Sequence, residues 1–518
     1  MKRRDFLKVT PAAAMAYMMN GLPVKALAAS PLLKLLARQA EATGRVMVFI
    51  QLVGGNDGLN TIIPIDQYSA LSTARGNVLI PEEKVLKLNG ILETGFHPAM
   101  SGLRDLFNNS MVNIVQGASY TNPNYSHFRA TDIWLTGASS NQYLNDGWLG
   151  RYLADENPDY PQVLTPDPLA IQIGATVSTA LQGPNVNMGM AVTSIENFYN
   201  IVNNQVTPAP PTPAGHELTF LRFIAQQTQQ YTSSLQAAAA KANNLSKLYP
   251  EKNSLADQLK IVARLIAGGL STPVYMVSLG GFDTHAGQVE GMDTTTGTHA
   301  DLLGKLSTAV TAFFDDLKLL KVDDRVAAMT FSEFGRRILS NGGLGTDHGT
   351  AAPVMVFGKY VNPGIIGSNP VIPDNATVRD DLEMQYDYRK IYAAVLTDWF
   401  GAPREVWLDA LQDYYTPLPI FRKDDKQILE ERNEDPVSQN YPNPFSDKTC
   451  ISFNSQGGSV RIMLYDAAGR MVKLVADKEY DAGYNHVYLY REGLPPGNYV
   501  YKFMNWNNKA SKKLTIID

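Results

Sequence analysis

Seven side chains able to bind a metal or move a proton fall beside the ends of apolar runs in this chain. Asp57 follows VMVFIQLVGG; Ser126, with His127 next to it, follows MVNIVQGAS; Asp283 and His285 follow TPVYMVSLGG. Glu333 follows the run Val326 to Phe331, and Asp347 and His348 stand just ahead of the run Ala351 to Phe357. In extended backbone, residues i and i+2 point to one side, so Asp283 and His285 can chelate a single ion, which the same spacing on a helix could not arrange. A mixed set of carboxylates and imidazoles suits zinc, with manganese or iron as alternatives, better than calcium. Arg336 could clamp an anion with two parallel hydrogen bonds. Ser126 reads either as a nucleophile awaiting activation or as the N-cap of a helix starting at His127. Asp57 reads either as a ligand or as part of an Asn-Asp-Gly turn.

The runs that deliver these residues are short, continuous, rich in Val, Met and Phe, and bounded by Gly and polar residues. That pattern fits buried strands of an α/β sheet, and in such sheets ligands collect outside the carboxyl ends of the strands. Helical patterns are expected around Pro98 to Phe107, up to about Gly268, from His299 to about Leu320, and over YDYRKIYAAVLTDWFG. In the last of these Asp387 and Arg389 are read as structural, and His299 as a capping or surface residue. At 518 residues, 44% hydrophobic and 18% charged, the chain can fill a large core. The formal net charge is −5; residues 1–29 hold five positive and one negative charge, so the remainder carries −9, which argues against a nucleic-acid binder. With one cysteine, Cys450, there is no intrachain disulfide and no cysteine-based zinc cluster.

Both termini differ in character from the middle. Residues 1–29, with paired Arg3 and Arg4, an apolar stretch and Ala26-Leu27-Ala28, form an export signal that resembles the twin-arginine (Tat) type; no stable membrane span is expected. The segment 30–422 is one domain. Within it the proline-rich Gln205 to Gly215 and a helical region from about His216 to Leu248 form an insertion at about 203–250. Charge dominates 423–436, a linker. Residues 437–518 alternate apolar and polar positions between Gly, Asn and Pro turns, as in a small antiparallel β-sandwich.

Two resemblances follow from these strings. QNYPNPFSDKT, VRIMLYDAAGRMV and LPPGNYVYKF resemble the type A sorting domain of type IX secretion substrates, which implies the type IX secretion machinery as a partner and a place in the periplasm, then at the cell surface or secreted. QLVGGNDGLNTIIP, SHFRATDIW, SLGGFDTH, SEFGRR and GTDHGTAAPVMVFG resemble the exported family called domain of unknown function 1501. That family is similar to the alkaline phosphatase-like superfamily of phosphatases and sulfatases. The fold implied is α/β, an alkaline phosphatase-like, mostly parallel sheet flanked by helices, plus the carboxyl-terminal sandwich. The resemblance implies metal ligands at Asp57, Asp283, His285, Glu333 and His348 and a nucleophile at Ser126; Asp347, beside His348 at the same strand end, is a further candidate ligand. It also shows departures: Phe334 stands where a second-site His is expected, and Glu333 replaces an Asp. The expected function is an exported, metal-dependent hydrolase of small anionic phosphate or sulfate esters, with Ser126 or water attacking and Arg336 holding the anion. The alternative is a non-catalytic secreted or cell-surface binding protein on a degenerate form of the same fold.

Overall fold

The structure, a computed structural model, describes residues 44–193, 231–422, 436–506 and 509–518. The expected export signal, the proline-rich excursion and residues 423–435 of the linker lie outside these. Of the helical region expected to reach Leu248, residues 231–241 are helical and 242–248 are not.

Strands run in chain order as β1 (Val46–Val53), β2 (Ile62–Pro64), β3 (Leu86–Leu88), β4 (Ile91–Phe96), β5 (Val112–Ser119), β6 (Ala170–Ile173), β7 (Gly189–Val192), β8 (Val274–Gly280) and β9 (Val326–Phe331). They continue as β10 (Arg336–Ser340), β11 (Thr346–His348), β12 (Ala352–Gly358), β13 (Gly364–Ile366), β14 (Tyr386–Asp387), β15 (Lys448–Tyr465), β16 (Met471–Tyr490), β17 (Gly497–Asn505) and β18 (Lys509–Ile516). A nine-stranded sheet has the order β13-β5-β12-β9-β1-β8-β6-β7, with β14 beside β5. Every pairing in it is parallel except the two made by β12, so β12 alone runs against the rest.

Side chains along each central strand alternate between two cores. In β1, Met47 and Phe49 enter one cluster, and Val48, Ile50 and Leu52 enter the other; in β9, Met329 and Phe331 part from Val326 and Ala328 in the same way. This is why the strands read as unbroken apolar runs. Helix α1 (Tyr68–Arg75) buries Leu71 in a separate apolar cluster, and α2 (Ser101–Asn108), α3 (His127–Thr136), α4 (Trp148–Glu156), α5 (Ser254–Ala267), α6 (Thr298–Leu319), α7 (Arg389–Ala394) and α8 (Arg404–Leu411) cover the two faces. α6 buries Ala300, Leu303, Leu306, Val310, Phe313 and Leu317, a helical stripe in which each buried Leu or Phe contributes about 1.5–3 kcal/mol.

Topology brings the candidate residues to one edge. Val53, the last residue of β1, is level with Gly280 at the end of β8, and Gln51 is level with Phe331 at the end of β9. Because β12 is reversed, its first residue, Ala352, lies beside Ala118 near the end of β5. The segments leaving β1, β5, β8 and β9, and the one entering β12, therefore surface together. The stretch between Arg336 and His348 is a β10–β11 hairpin with Arg336 paired to His348. His299 is buried rather than capping or on the surface, with Nε2 3.0 Å from Asn56 Oδ1. Asp387 and Arg389 form a structural ion pair at 2.6 Å.

The carboxyl-terminal residues build a four-stranded antiparallel sheet, β16-β15-β17-β18, around its own apolar cluster of Ile451, Ile462, Tyr501 and Phe503. It meets α8 and the turn after it: the Tyr441 hydroxyl donates to Asp409, Tyr488 donates to Asp413 at 2.5 Å, and the His486 ring lies 4.9 Å from that of Tyr414.

Candidate metal centre

At this edge the Nε2 atoms of three imidazoles converge on one carboxylate. Asp283 Oδ1 lies 3.2 Å from His285 Nε2 and 3.3 Å from His348 Nε2; Asp283 Oδ2 lies 3.4 Å from His127 Nε2. The Nε2 atoms of His285 and His348 are 2.8 Å apart. One ligand atom each from His127, Asp283 and His348 lies within 4.8 Å of the others.

The other nitrogen of each ring decides the chemistry. His348 Nδ1 is 2.8 Å from the Tyr125 carbonyl, which can only accept, so Nδ1 carries the hydrogen. His127 Nδ1 faces Glu333 Oε1 at 2.9 Å and His285 Nδ1 faces Asp347 Oδ1 at 3.0 Å. A bond from the Asn341 side chain, ahead of the opposing effect of burial and with help from His285, holds the Asp347 carboxyl below its ordinary pKa, so it accepts. All three imidazoles thus set Nδ1 against an oxygen and turn Nε2 inward, with the His348 hydrogen fixed on Nδ1 by the carbonyl. Burial works to raise the Asp283 pKa, but the bond and charge of Arg336 bring it down to about 2; the acid is ionised. Burial lowers the His348 pKa, keeping that ring neutral. The His285 and His348 Nε2 atoms, 2.8 Å apart beside an anion, call for a proton or a cation between them, and one ligand atom each from His127, Asp283 and His348 is placed to share a divalent ion. Imidazoles anchored at Nδ1 by oxygen acceptors are the usual arrangement around a protein-bound metal, so the residues present fit one ion.

Two glycines allow this crowding. A Cβ on Gly54 (φ +124°) would stand 2.3 Å from the Asp283 amide nitrogen, and one on Gly55 (φ +80°) would stand 2.3 Å from the Phe334 ring. Phe334, in the place of an expected His, packs its ring 4.6 Å from that of His348 and 4.9 Å from that of His127.

Several expectations for individual residues change here. Asp57 does not reach the cluster: it is buried, with both oxygens bonded to Arg75 at 3.0 and 2.9 Å and one also to Gln288 at 2.6 Å. Burial alone would raise its pKa; Arg75 reverses that and lowers it. Glu333 is buried and bonds to the Gly54 amide at 2.8 Å and to His127 Nδ1 at 2.9 Å, so it orients the His127 ring. Asp347 does the same for His285. Arg336, expected as an anion clamp, points into the protein instead: its nitrogens bond to the carbonyls of Gly55, Thr346, Gly54 and Phe282 and to Asp283 at 2.7 Å. Ser126 is exposed at the N-cap of α3, its side chain making no capping bond. His127, which sequence reasoning noticed only as Ser126's neighbour, is the residue that faces Asp283. The signal available for it was the missing second-site His at position 334, a gap that an imidazole from another strand end could fill.

Comparison with known proteins adds the following. No curated protein matches the chain. Among solved structures, the chain is similar to a protein in the alkaline phosphatase superfamily from Vibrio parahaemolyticus, at 13% identity over 84% of this chain and 83% of that one with a TM-score of 0.32. It is similar to the PsFucS1 sulfatase from Pseudoalteromonas sp. at 10% identity over 89% and 87% with a TM-score of 0.32. It is also similar to alkaline phosphatase from the Antarctic bacterium TAB5 at 9% identity over 61% and 92% with a TM-score of 0.26. No helix among the described residues is long and apolar enough to cross a membrane. Residues 439–517 match the secretion system C-terminal sorting domain, which marks the chain for export to the cell surface or secretion, and residues 173–402 match the family described as protein of unknown function (DUF1501).

Proposed function

We propose that this protein is an exported, metal-dependent hydrolase of phosphate or sulfate esters, passing through the Tat translocon and then the type IX machinery. The observation that carries the reading is the inward aim of three Nδ1-anchored imidazoles at an ionised Asp283. His127, Asp283, His285 and His348 would hold one divalent ion, with zinc preferred and manganese or iron as alternatives. When bound, such an ion acts as a Lewis acid toward an ester oxygen.

The chain's own residues do the rest. Glu333, Asp347 and the Tyr125 carbonyl hold the three Nδ1 atoms in place, and Arg336 keeps Asp283 ionised. The side chains of Asp283 and His285 are 47% and 44% exposed, so a small ester can reach them from solvent. Ser126, exposed one residue before His127, is the nucleophile, or water takes that role. A second reading, a non-catalytic exported binding protein, is favoured by the fate of Arg336, whose donors all turn to the protein.

The test is elemental mass spectrometry of protein purified without chelator, followed by turnover of p-nitrophenyl phosphate and sulfate. About one equivalent of metal, lost in Asp283→Asn together with turnover, is the expected result. Metal without turnover of any ester would favour the binding protein. No metal, even after soaking with zinc, manganese and iron, would sink both the centre and the hydrolase.

A further inference from the structure

Beneath the metal centre lies a buried polar chain that ligates nothing. Gln288, fully buried, follows His285 by three residues. Its Oε1 accepts from Thr284 Oγ1 at 3.1 Å and from Thr346 Oγ1 at 2.8 Å, while its Nε2 donates to Asp57 Oδ2 at 2.6 Å. Thr284 sits between Asp283 and His285, and Thr346 immediately precedes Asp347 and His348. One side chain therefore bonds to both segments that carry the centre. Asp57, in turn, is held by both terminal nitrogens of Arg75, and the pair is 1% and 0% exposed.

The direction of every bond in this chain is determined. An amide nitrogen only donates and an amide oxygen only accepts. Turning the Gln288 amide over would set its oxygen against an ionised carboxylate oxygen at 2.6 Å, so charge excludes the flipped form. Arg75 orients Asp57, Asp57 orients the Gln288 amide, and the amide oxygen receives both threonine hydroxyls. A backbone bond from the Thr346 amide to the Thr284 carbonyl, 3.2 Å, ties the two segments at the same level. Thr284, Gln288 and Thr346 are all buried, so water does not substitute readily for a lost partner.

We propose that Gln288 is a positioning residue for the metal centre: it sets the spacing between the Asp283 and His285 segment and the Asp347 and His348 segment, with Asp57 and Arg75 acting as its anchor rather than as ligands. This rests on the metal-centre reading above. Residues that orient ligands without touching the metal commonly change metal affinity by about 10–100-fold when replaced, and that is the size expected here.

The experiment titrates the full chain, stripped of metal, with Co2+ and follows the visible absorption band, which reports both affinity and ligand arrangement. The variants are Gln288→Met, which keeps the volume and removes the donor and acceptor, and Thr346→Val, which removes one of the two hydroxyls and retains the fold if Gln288→Met does not. The control is Asp316→Asn. Asp316 is a buried residue of α6 that accepts from the amides of Leu245 and Ser246 at 2.6 and 2.9 Å, roughly 25 Å along the helix from its start. Gln288→Met is expected to weaken Co2+ binding by about 10–100-fold and to shift the band, and Thr346→Val to do so to a smaller extent. Asp316→Asn should lower the melting temperature and leave affinity and band unchanged. Wild-type affinity and spectrum in Gln288→Met, or in Thr346→Val where the former does not fold, would overturn the inference and leave the centre standing. A wild-type chain that takes up no Co2+ would overturn both.

Discussion

Arg336 separates the roles that sequence and structure assign to one residue. As an anion clamp it would face solvent, and its removal would cost activity with little effect on folding. In the structure its side chain is 0% exposed and gives bonds to the carbonyls of Gly55 at 2.7 Å, Thr346 at 2.8 Å, Gly54 at 2.5 Å and Phe282 at 3.0 Å. Arg336→Met leaves the carbonyls of Gly54, Gly55 and Thr346 without that donor, while the Phe282 carbonyl keeps the Thr284 amide at 2.8 Å. Each buried polar group left unsatisfied costs about 1–3 kcal/mol, so the three together cost about 3–9 kcal/mol. With an unfolding entropy of about 2.1 cal/mol/K per residue, a domain of this size shifts Tm by about 1.2 °C per kcal/mol, so the variant should melt about 4–11 °C lower. Asp283, about half exposed, also loses the partner that depresses its pKa, so metal binding should weaken most at acid pH. Arg336→Lys should recover only part of the loss, since an ammonium cannot reproduce the planar fork. Calorimetry of the metal-free protein is the assay. A Tm within about 3 °C of wild type, with turnover abolished, would refute the structural role and restore the clamp.

Two further outcomes follow from the buried charges. Asp57→Asn strands the buried Arg75 guanidinium, which should cost about 3–5 kcal/mol, yet the metal stoichiometry should stay at one; a drop from two equivalents to one on mass analysis would instead make Asp57 a ligand. Burial, the leading cause in both, lowers the pKa of His97 to about 3 and of His299 to about 4, against about 6.5 in an unfolded chain. Below that value the unfolded chain binds protons that the folded chain refuses, so stability falls with pH until the folded values are reached. Between pH 6.5 and 5 each histidine should withdraw about 2 kcal/mol. Urea unfolding of metal-free protein at pH 7.5, 6.5 and 5.0 should show the decline, and a slope unchanged in both His97→Gln and His299→Gln would contradict it.

Much of the centre was legible in the sequence because strand ends are. Apolar runs halted by Gly mark where β1 and β8 stop, the polar Ser332 and Glu333 mark the end of β9, and a period of two puts Asp283 and His285 on one side. The reversed direction of β12 was not legible: an apolar run reads the same whichever way it pairs, and only that reversal brings His348 to the edge where β5 ends. Helix phase was equally hidden. Ser126 and His127 are adjacent, but successive helical residues point about 100° apart, and the phase of α3 against the sheet turns the imidazole toward Asp283.

The sequence by itself determined the class of fold, the strand ends that carry acid and imidazole, the export signature at the carboxyl terminus and the lack of any cysteine cluster, because these follow from local pattern and composition. Which charged groups remain available for chemistry was decided only in three dimensions. Asp57 and Arg336 have residue types and strand-end positions that suit a ligand or a clamp. Their charges are consumed by partners distant along the chain, Arg75 for the one and carbonyls from three separate segments for the other. A buried charge takes the partner that the fold places beside it, and no local pattern records which partner that will be.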